Sequence, residues 1–270
     1  MADALTVKGL VRAFREVGLA PGDNFIVHSS FKSLGPVEGG PDAVIDALIE
    51  AISPGGNLLL PTFNYTQHIA EPYFDPAVVP CLTGIIPETG RKRSNAVRSL
   101  HPTHSVTVIG PDALEFTKGH MAYRTVGFGS PIDRLAKGGG NVLLLGVGHT
   151  TNTMIHLGEE YAGIPKGSWF EIPTFAKVLI PDGTTIEHEI DTSTSCSHGF
   201  GIVEEPLSRN GEIRYHTVGN SKLQLMLGMD VVKRVGELIQ HQADILLCGN
   251  PDCRPCTTAR RNLKEQGRVG

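Results

Sequence analysis

Apolar residues in the first half of the chain follow two patterns that occur in turn. One pattern is typical of helices, and the other is typical of buried strands. Residues 6–19 place Leu10, Phe14 and Val17 at near-helical spacing, which predicts an amphipathic helix. The apolar segments that follow are short and continuous, as expected of strands that are buried on both faces. Such strands are predicted at residues 24–28, 57–60, 105–110 and 141–146.

Helical patterns alternate with these strands. Pro41 stands where proline is tolerated best, in the first turn of a helix predicted to run to Ile52. Another helix is predicted over residues 152–162, soon after the strand at 141–146. The order helix, strand, loop, helix, strand indicates an α/β sheet with crossover connections, and the loops after such strands are where α/β proteins bind ligands.

The hydrophobic pattern changes after residue 165. Residues 175–180 and 184–190 are half-alternating runs on either side of Pro181-Asp182-Gly183, which predicts a β-hairpin. Residues 223–239 predict a further helix. We therefore predict one α/β domain with a mixed sheet core, flanking helices and an added antiparallel β region. Its predicted parts are a core at 1–165, a β-rich region at 166–222, a packing helix at 223–247 and a cysteine-bearing tail at 248–270.

Composition narrows the classes of protein that fit this pattern. The 270 residues are 40% hydrophobic and 19% charged, as in soluble globular proteins, and no stretch reaches the ~20 apolar residues of a membrane helix. A formal net charge of −4 without a Lys/Arg-rich block argues against nucleic-acid binding. The first residues lack the positive flank and apolar run of a secretion signal, so we expect a cytoplasmic protein with reduced thiols.

The densest group of candidate catalytic residues lies at 146–160. On a helix, His156 shares a face with Glu159 and Glu160, which follow it by three and four positions. A carboxylate bonded to one imidazole nitrogen fixes the tautomer, so that the other nitrogen accepts a proton. The pattern therefore predicts an oriented base, although a partly exposed helix with an incidental His–Glu pair gives the same spacing.

Cations, hydroxyls and histidines gather at residues 91–106, around the start of a predicted strand. Their charge favours phosphate binding, and a solvated basic loop accounts for it equally well. His101 and His104 have a spacing seen in metal ligands, but Pro102 breaks the helix that would put both rings on one side, and we assign no metal there. The loop at 28–40 is rich in glycine and hydroxyls, but it matches neither a dinucleotide fingerprint nor a P-loop.

The cysteines of the tail permit more than one interpretation. Cys253 and Cys256 have the pair spacing of zinc sites and of redox dithiols, but a second pair at matching spacing is missing. A structural zinc with Cys248 as third ligand is one alternative, and we expect instead surface or semi-buried thiols without a metal.

Acidic residues crowd into the added β region. They form either a solvated face or the lining of a cleft that attracts a polycationic amine. The residues concerned are Glu171, Glu187, Glu189, Asp191, Glu204 and Glu205.

Longer motifs carry a resemblance to a known family. On these motifs the sequence resembles the aminoglycoside N3-acetyltransferases, which are distinct from the GNAT fold. The resemblance runs from residue 22 to the helix predicted after Gly219-Asn220, and it leaves the cysteine-bearing tail outside. The motifs are residues 27–40 (VHSSFKSLGPVEGG), residues 99–106 (SLHPTHSV) with Gly110-Pro111, Gly129-Ser130-Pro131, and residues 144–159.

The resemblance implies an enzyme that transfers acetyl from acetyl-CoA to the 3-amino group of the 2-deoxystreptamine ring of aminoglycosides, and so confers antibiotic resistance. It implies His156 as the general base, with Glu159 and Glu204 as catalytic carboxylates and no metal. It also implies a set of residues that hold CoA. They are Ser29, Ser30, Phe31, Lys32, Ser33, Arg98, Ser99, His104, Ser105 and Val106.

The same resemblance places the added β region on the acceptor side of the cleft, and it implies a homodimer. Two alternatives remain open at this point. The same fold and chemistry could serve another amine, such as a natural-product intermediate, or the chain could be a zinc-stabilised binding or scaffold protein. The residues implied to face the aminosugar are Glu171, Asp191, His198 and Glu204.

Overall fold

The structure is a computed structural model that describes residues 4–64, 71–122, 124–168, 174–190, 193–194 and 196–270. Its helices are α1 (Val7–Val17), α2 (Phe31–Leu34), α3 (Gly40–Ile52), α4 (Ile85–Gly90), α5 (Ala113–Thr117), α6 (Pro131–Lys137), α7 (Met154–Tyr161), α8 (Glu204–Arg209), α9 (Gly228–His241) and α10 (Arg254–Glu265). Its strands are β1 (Asn24–Ser29), β2 (Asn57–Pro61), β3 (Tyr73–Phe74), β4 (Ala96–Arg98), β5 (Val106–Ile109), β6 (Asn141–Leu145), β7 (Gly167–Ser168), β8 (Thr174–Leu179), β9 (Thr185–Ile190), β10 (Ser193–Thr194), β11 (Arg214–Val218) and β12 (Ser221–Leu227). Short 3₁₀ turns lie at His120–Ala122, His149–Thr151 and Phe200–Val203.

The first helix forms as its sequence predicts. Thr6 caps α1, because its Oγ1 accepts a hydrogen bond from the backbone N–H of Gly9 at 3.2 Å. Leu10, Phe14 and Val17 are buried along one face of the helix. The helical spacing of these apolar positions therefore marks the face that packs on the core.

The central sheet has the strand order β11-β12-β6-β1-β2-β5-β4 and is mixed. Strand β1 lies between β2 and β6 and is parallel to both. Strand β5 is antiparallel to β2, and β12 is antiparallel to β6. The carboxyl ends of β1, β2 and β6 therefore meet at one edge of the sheet, and β5 begins at that same edge.

Both faces of this sheet are covered, which explains the continuous apolar runs in its strands. Phe25 and Val27 of β1 pack on one side with residues of α1 and α3. Ile26 of the same strand packs on the other side with residues of α6, α7, α9 and α10. In β6, Leu143 and Leu144 divide between the two faces in the same way. The molecule is therefore a three-layer α/β structure around a buried sheet.

The fold class predicted from the sequence is confirmed, with a mixed sheet, flanking helices and a separate small sheet. The hairpin predicted around Pro181-Asp182-Gly183 is formed by β8 and β9. Strand β3 joins β8 in parallel, so this three-stranded sheet is not wholly antiparallel as predicted. In the described ranges, the helices are all too short or too polar to cross a bilayer.

The boundary predicted at residue 223 is wrong. Leu223 and Leu225 belong to β12, which pairs with β6 and β11, and the packing helix α9 begins only at Gly228. Residues 223–227 alternate too little to be recognised as a strand, because β12 lies inside the sheet and Leu223, Leu225 and Met226 are all buried. Part of the region predicted as separate and β-rich, namely β11 and β12, thus extends the central sheet.

A glycine sets the distance between α7 and α9. A Cβ placed on Gly158 of α7 would lie 2.6 Å from Cβ of Val235 on α9, closer than side chains tolerate. The absence of a side chain at position 158 therefore lets the two helices approach closely, next to His156 and Glu159.

This close approach makes Gly158 of α7 and Gly236 of α9 respond oppositely to alanine. We expect Gly158→Ala to lower the free energy of unfolding by about 1–3 kcal/mol, because its methyl group overpacks the contact with Val235. Gly236→Ala is the matched control, since a Cβ on Gly236 meets nothing within 4 Å. Alanine there is expected to raise the free energy of unfolding by about 0.5–1 kcal/mol through helix propensity. Urea unfolding curves measure both values, and equal changes would contradict this account.

Candidate active site

A cavity of about 360 Å³ lies at the sheet edge where β1, β2 and β6 end. His28 and Ser29 line it from the end of β1, and Pro61 lines it from the end of β2. Residues 150–153, in the connection between β6 and α7, form another wall. Ligands of open α/β sheets bind at the carboxyl ends of the strands, at the point where the strand order reverses. In this sheet that point is β1, which has β2 on one side and β6 on the other.

His156 lines this cavity from α7 and is paired with a buried carboxylate. Its Nδ1 lies 2.8 Å from Oε2 of Glu159, three residues further along the helix. The Glu159 side chain is 1% exposed, whereas His156 is 19% exposed. An ionised carboxylate accepts a hydrogen bond from Nδ1–H, and the lone pair of the neutral imidazole is then on Nε2. The pairing predicted from the sequence is thus present, and the tautomer it selects is that of a general base.

A phenyl ring holds the same imidazole from another side. The ring of Phe200 meets His156 edge to face, with 4.7 Å between centroids. Phe200 is fully buried in the 3₁₀ turn that precedes α8. Ser197, three residues before Phe200, lines the cavity. The segment from 197 to 200 therefore both walls the cavity and packs on its histidine.

Two further histidines of the cavity are held neutral. Burial, together with the charge of His156, lowers the pKa of His28 from the usual 6.5 to about 3. Burial, followed by the charges of His156, His120 and Lys166, lowers the pKa of His104 to about 3. The Nε2 atom of His28 lies 3.2 Å from Oγ1 of Thr153. These rings therefore act as neutral hydrogen-bonding groups around His156 at physiological pH.

A buried hydrogen-bond chain supports the far wall of the cavity. Nδ1 of His120 lies 2.8 Å from Oγ of Ser99, and that oxygen accepts the N–H of Val106 at 2.8 Å. Nε2–H of His120 donates to the carbonyl of Thr125 at 3.1 Å, so Ser99 donates its hydroxyl proton to Nδ1. Thr125 lines the cavity. His101, whose ring lies 4.8 Å from that of His120, accepts backbone N–H groups with Nδ1.

Arg98 and Ser105, both predicted to hold CoA, are engaged within the fold instead. The Arg98 guanidinium donates to the carbonyls of Thr62, Pro76 and Val79 and to Oγ of Ser105. It also stacks on a phenyl ring at 5.0 Å. Among the predicted CoA residues, Ser99, Ser105 and Val106 are fully or almost fully buried. The contacts of these residues hold the walls of the cavity in place, but the residues themselves do not line it.

The other cations of the basic segment are ion-paired. Arg91 and Lys92 both bond to Glu88, at 2.6 and 2.7 Å. Arg93 bonds to Asp42 and Asp46 on α3, at 2.9 and 2.6 Å. Ion pairs with Glu88, three and four residues earlier, and with the two carboxylates of α3 leave this segment less free positive charge to attract phosphate than its sequence suggests.

The remaining residues predicted to hold CoA are residues 29–33 and His104. Ser29 and His104 are the members of that set that line the cavity. Ser33 donates to the carbonyl of Ser30 at 2.6 Å and also hydrogen-bonds to Ser221 of β12. Phe31 packs against the core, and Lys32 is exposed on α2.

Of the residues predicted to face the acceptor, the structure describes His198 and Glu204, and neither of them lines the cavity. Oε1 of Glu204 bonds to Nζ of Lys222 at 2.9 Å, at a surface separate from the cavity. Partial burial raises the pKa of Glu204, but Lys222 outweighs it and lowers the pKa overall. His198 is exposed beside Cys196. The positions of Glu171 and Asp191 lie outside the described residues.

Phe63 and Lys166 also line the cavity, although neither was predicted as a site residue. Lys166 lines it with a side chain that is only 5% exposed, and its Nζ lies 3.1 Å from Oε2 of Glu160. Phe63 follows the end of β2, and its ring lies 4.7 Å from that of His104. The position of Phe63 just after a buried strand was the available signal for its role. The place of Lys166 depends on tertiary contacts.

A histidine held by a buried carboxylate, at a cavity on the carboxyl edge of an α/β sheet, is the arrangement of an acid–base catalytic site. Residues 26–240 match the aminoglycoside 3-N-acetyltransferase family. The chain is 32% identical over 225 residues to aminoglycoside N(3)-acetyltransferase IV from Salmonella sp, covering 83% of each. The chain therefore belongs to the aminoglycoside 3-N-acetyltransferase family, which confirms the resemblance and the expected class of acyltransferase.

Solved structures agree with this assignment. A histidine-to-alanine mutant of aminoglycoside acetyltransferase AAC(3)-IVa in complex with gentamicin is similar at a TM-score of 0.84 and 28% identity, covering 97% of this chain and 98% of that chain. A binary complex of AAC-IIIb with CoASH is similar at a TM-score of 0.74 and 25% identity, covering 88% of this chain and 97% of that chain. The mixed sheet and its flanking helices are therefore shared with these acetyltransferases.

The buried histidines predict how stability depends on pH. In the unfolded chain an imidazole gains a proton near pH 6.5, whereas His28, His104 and His120 gain it in the fold only near pH 3. Acidification below pH 6.5 therefore favours the unfolded chain, and the stability loss continues until the folded pKa is reached. Each such histidine is expected to lower the free energy of unfolding by about 1.4 kcal/mol per pH unit in this window.

Urea unfolding at several pH values between about 5 and 7 measures this slope, above the range in which most carboxylates titrate. His120→Gln removes one titrating ring and is expected to make the slope of the free energy of unfolding against pH shallower by the contribution of one histidine. A free energy of unfolding that stays constant through this window would show that these rings are not held neutral.

Proposed function

We propose that this protein transfers an acetyl group from acetyl-CoA directly to the 3-amino group of the 2-deoxystreptamine ring of aminoglycosides, with His156 as general base. The observation that carries the proposal is the hydrogen bond from His156 to the buried Glu159, on the wall of a cavity at the carboxyl edge of the sheet. Membership of the 3-N-acetyltransferase family supports the acceptor and its position.

The chemistry requires one proton acceptor at the reacting nitrogen. The amine attacks the thioester carbonyl carbon as a neutral nucleophile, and Nε2 of His156 takes the proton that the nitrogen loses as the C–N bond forms. The C–S bond then breaks, and the His156 imidazolium gives the same proton to the CoA thiolate, which leaves as CoASH and restores the neutral base. Glu159 stabilises the imidazolium between these two proton transfers, because its charge lies 2.8 Å from Nδ1.

Ligands of the related structures support the two substrates. AAC-IIIb was crystallised with CoASH and AAC(3)-IVa with gentamicin. The cavity here, about 360 Å³, lies within the range of small-molecule sites. It is large enough for the reacting ends of two substrates, with the remainder of each lying outside.

The residues implied to hold CoA are proposed to act in three groups. Ser29 and His104 are proposed to contact the thioester end, because they line the cavity beside His156. The residues of α2 and its cap, 30–33, are proposed to contact CoA further out. Arg98 is proposed to act indirectly, through the segment whose carbonyls it binds. Ser99, Ser105 and Val106 are buried and, like Arg98, are proposed to act indirectly.

Acceptor recognition stays a prediction for Glu171, Asp191 and His198, and so does the homodimer. Glu204 is not proposed as a catalytic carboxylate, because it pairs with Lys222 and Glu159 already orients His156. The net charge of −4 is favourable to a polycationic acceptor.

Variants of the catalytic pair test the assigned base. His156→Gln is expected to lower kcat by about 10²-fold to 10⁴-fold, the usual contribution of a general base. Glu159→Gln is expected to lower kcat by about tenfold or more and to move the acid limb of the kcat profile to lower pH, because the imidazolium loses its neighbouring charge. Steady-state assays of CoA release measure both effects.

His241→Gln is the control for these variants, since His241 is exposed at the end of α9 and lies outside this cavity. Its kcat is expected to equal that of the unmodified protein. Full activity of His156→Gln would refute the assigned base.

Reaction products test the substrates directly. Incubation with acetyl-CoA and gentamicin or kanamycin is expected to add one acetyl group, and NMR of the product is expected to place it on the 3-amino group. The measurement is mass spectrometry on a panel that also contains simpler amines. Rejection of every aminoglycoside with turnover of another amine would move the acceptor to a different class and leave the base unaffected.

A further inference from the structure

Four of the five cysteines converge, although the sequence separates them widely. Cys248, Cys253 and Cys256 come from the segment that leads into α10 and from its first turn, and Cys196 comes from the segment before α8. Their sulfur atoms all lie within 4.8 Å of one another. Cys196 is thus the fourth member that spacing alone did not reveal.

We propose that these four cysteines bind one zinc ion in a tetrahedral thiolate site. A Zn–S bond of about 2.3 Å places the sulfurs of such a site about 3.8 Å apart, so the observed cluster needs only a small contraction. A disulfide bond joins only two sulfurs, at about 2 Å, so it does not explain why four sulfurs lie close together. The expectation of thiols without a metal is revised accordingly.

The surroundings suit the charge of the bound site. Four thiolates and one Zn²⁺ carry a net charge of −2, and binding releases four protons. Cys253 is the N-cap of α10 and Cys256 lies in its first turn, so the positive end of a twelve-residue helix faces the cluster. The backbone N–H of His198 also donates to Sγ of Cys196 at 3.4 Å.

Zinc at this place would join two distant parts of the chain beside the cavity. Ser197, next to Cys196, lines the cavity, and Phe200 contacts the ring of His156. Cys256 is fully buried in the same core as Phe200. The metal therefore fixes the wall formed by residues 197–200 against α10, and it has a structural role that does not depend on the proposed reaction.

Metal content of the full chain tests the site. The protein is purified without chelators from zinc-supplemented medium and analysed by inductively coupled plasma mass spectrometry. About one zinc per chain is expected. Cys196→Ser and Cys253→Ser are expected to reduce the zinc at least tenfold and to lower Tm. Cys81→Ser is the matched control, because Cys81 lies beside Thr83, apart from the cluster, and it is expected to keep the zinc.

A second measurement needs no variant and so does not depend on their folding. Titration of the unmodified protein with a mercurial reagent, in the presence of a chromophoric chelator, is expected to release one zinc as the four thiols react. Zinc-free protein, iron in place of zinc, or full zinc in Cys196→Ser would overturn the proposal. Intact masses that show disulfides among the four cysteines would overturn it as well.

Discussion

The hydrogen bond between His156 and Glu159 is the contact on which the proposed chemistry of this molecule depends. A carboxylate that is 1% exposed is costly to bury unless a donor satisfies it, and the imidazole Nδ1–H does so at 2.8 Å. In return the carboxylate fixes the ring and its tautomer. The histidines His28 and His104, which line the cavity with His156, are kept unprotonated by burial, so a positive charge formed on His156 meets no imidazolium at these two positions.

The fold holds this pair by packing on α7 and on the His156 ring. Helix α7 approaches α9 closely because Gly158 has no side chain, and Phe200 packs on the His156 ring. Parallel strands β1, β2 and β6 end at the cavity, and antiparallel β5 begins there. Residues that are distant in the sequence therefore meet at the cavity. The basic segment at 91–98 supports this arrangement through ion pairs and carbonyl contacts.

Local patterns in the sequence were sufficient for elements whose neighbours lie nearby in the chain. The spacing of His156 and Glu159 on one helix predicted their contact, and the turn at Pro181-Asp182-Gly183 predicted its hairpin. Patterns failed where burial on both faces hides the period, as in residues 223–227 of β12. They also failed where the partner of a residue is distant in the sequence. Charge does not show that Arg98 bonds to carbonyls, and spacing does not show that Cys196 joins the tail cysteines.

In the described residues, the small sheet of β3, β8 and β9 shares no paired strand with the central sheet. Changes in length or composition of its connecting segments therefore do not disturb the ladder that carries β1, β2 and β6 to the cavity. Sequence changes in this small sheet are therefore expected to leave His28, Ser29 and Pro61 in place at the ends of β1 and β2.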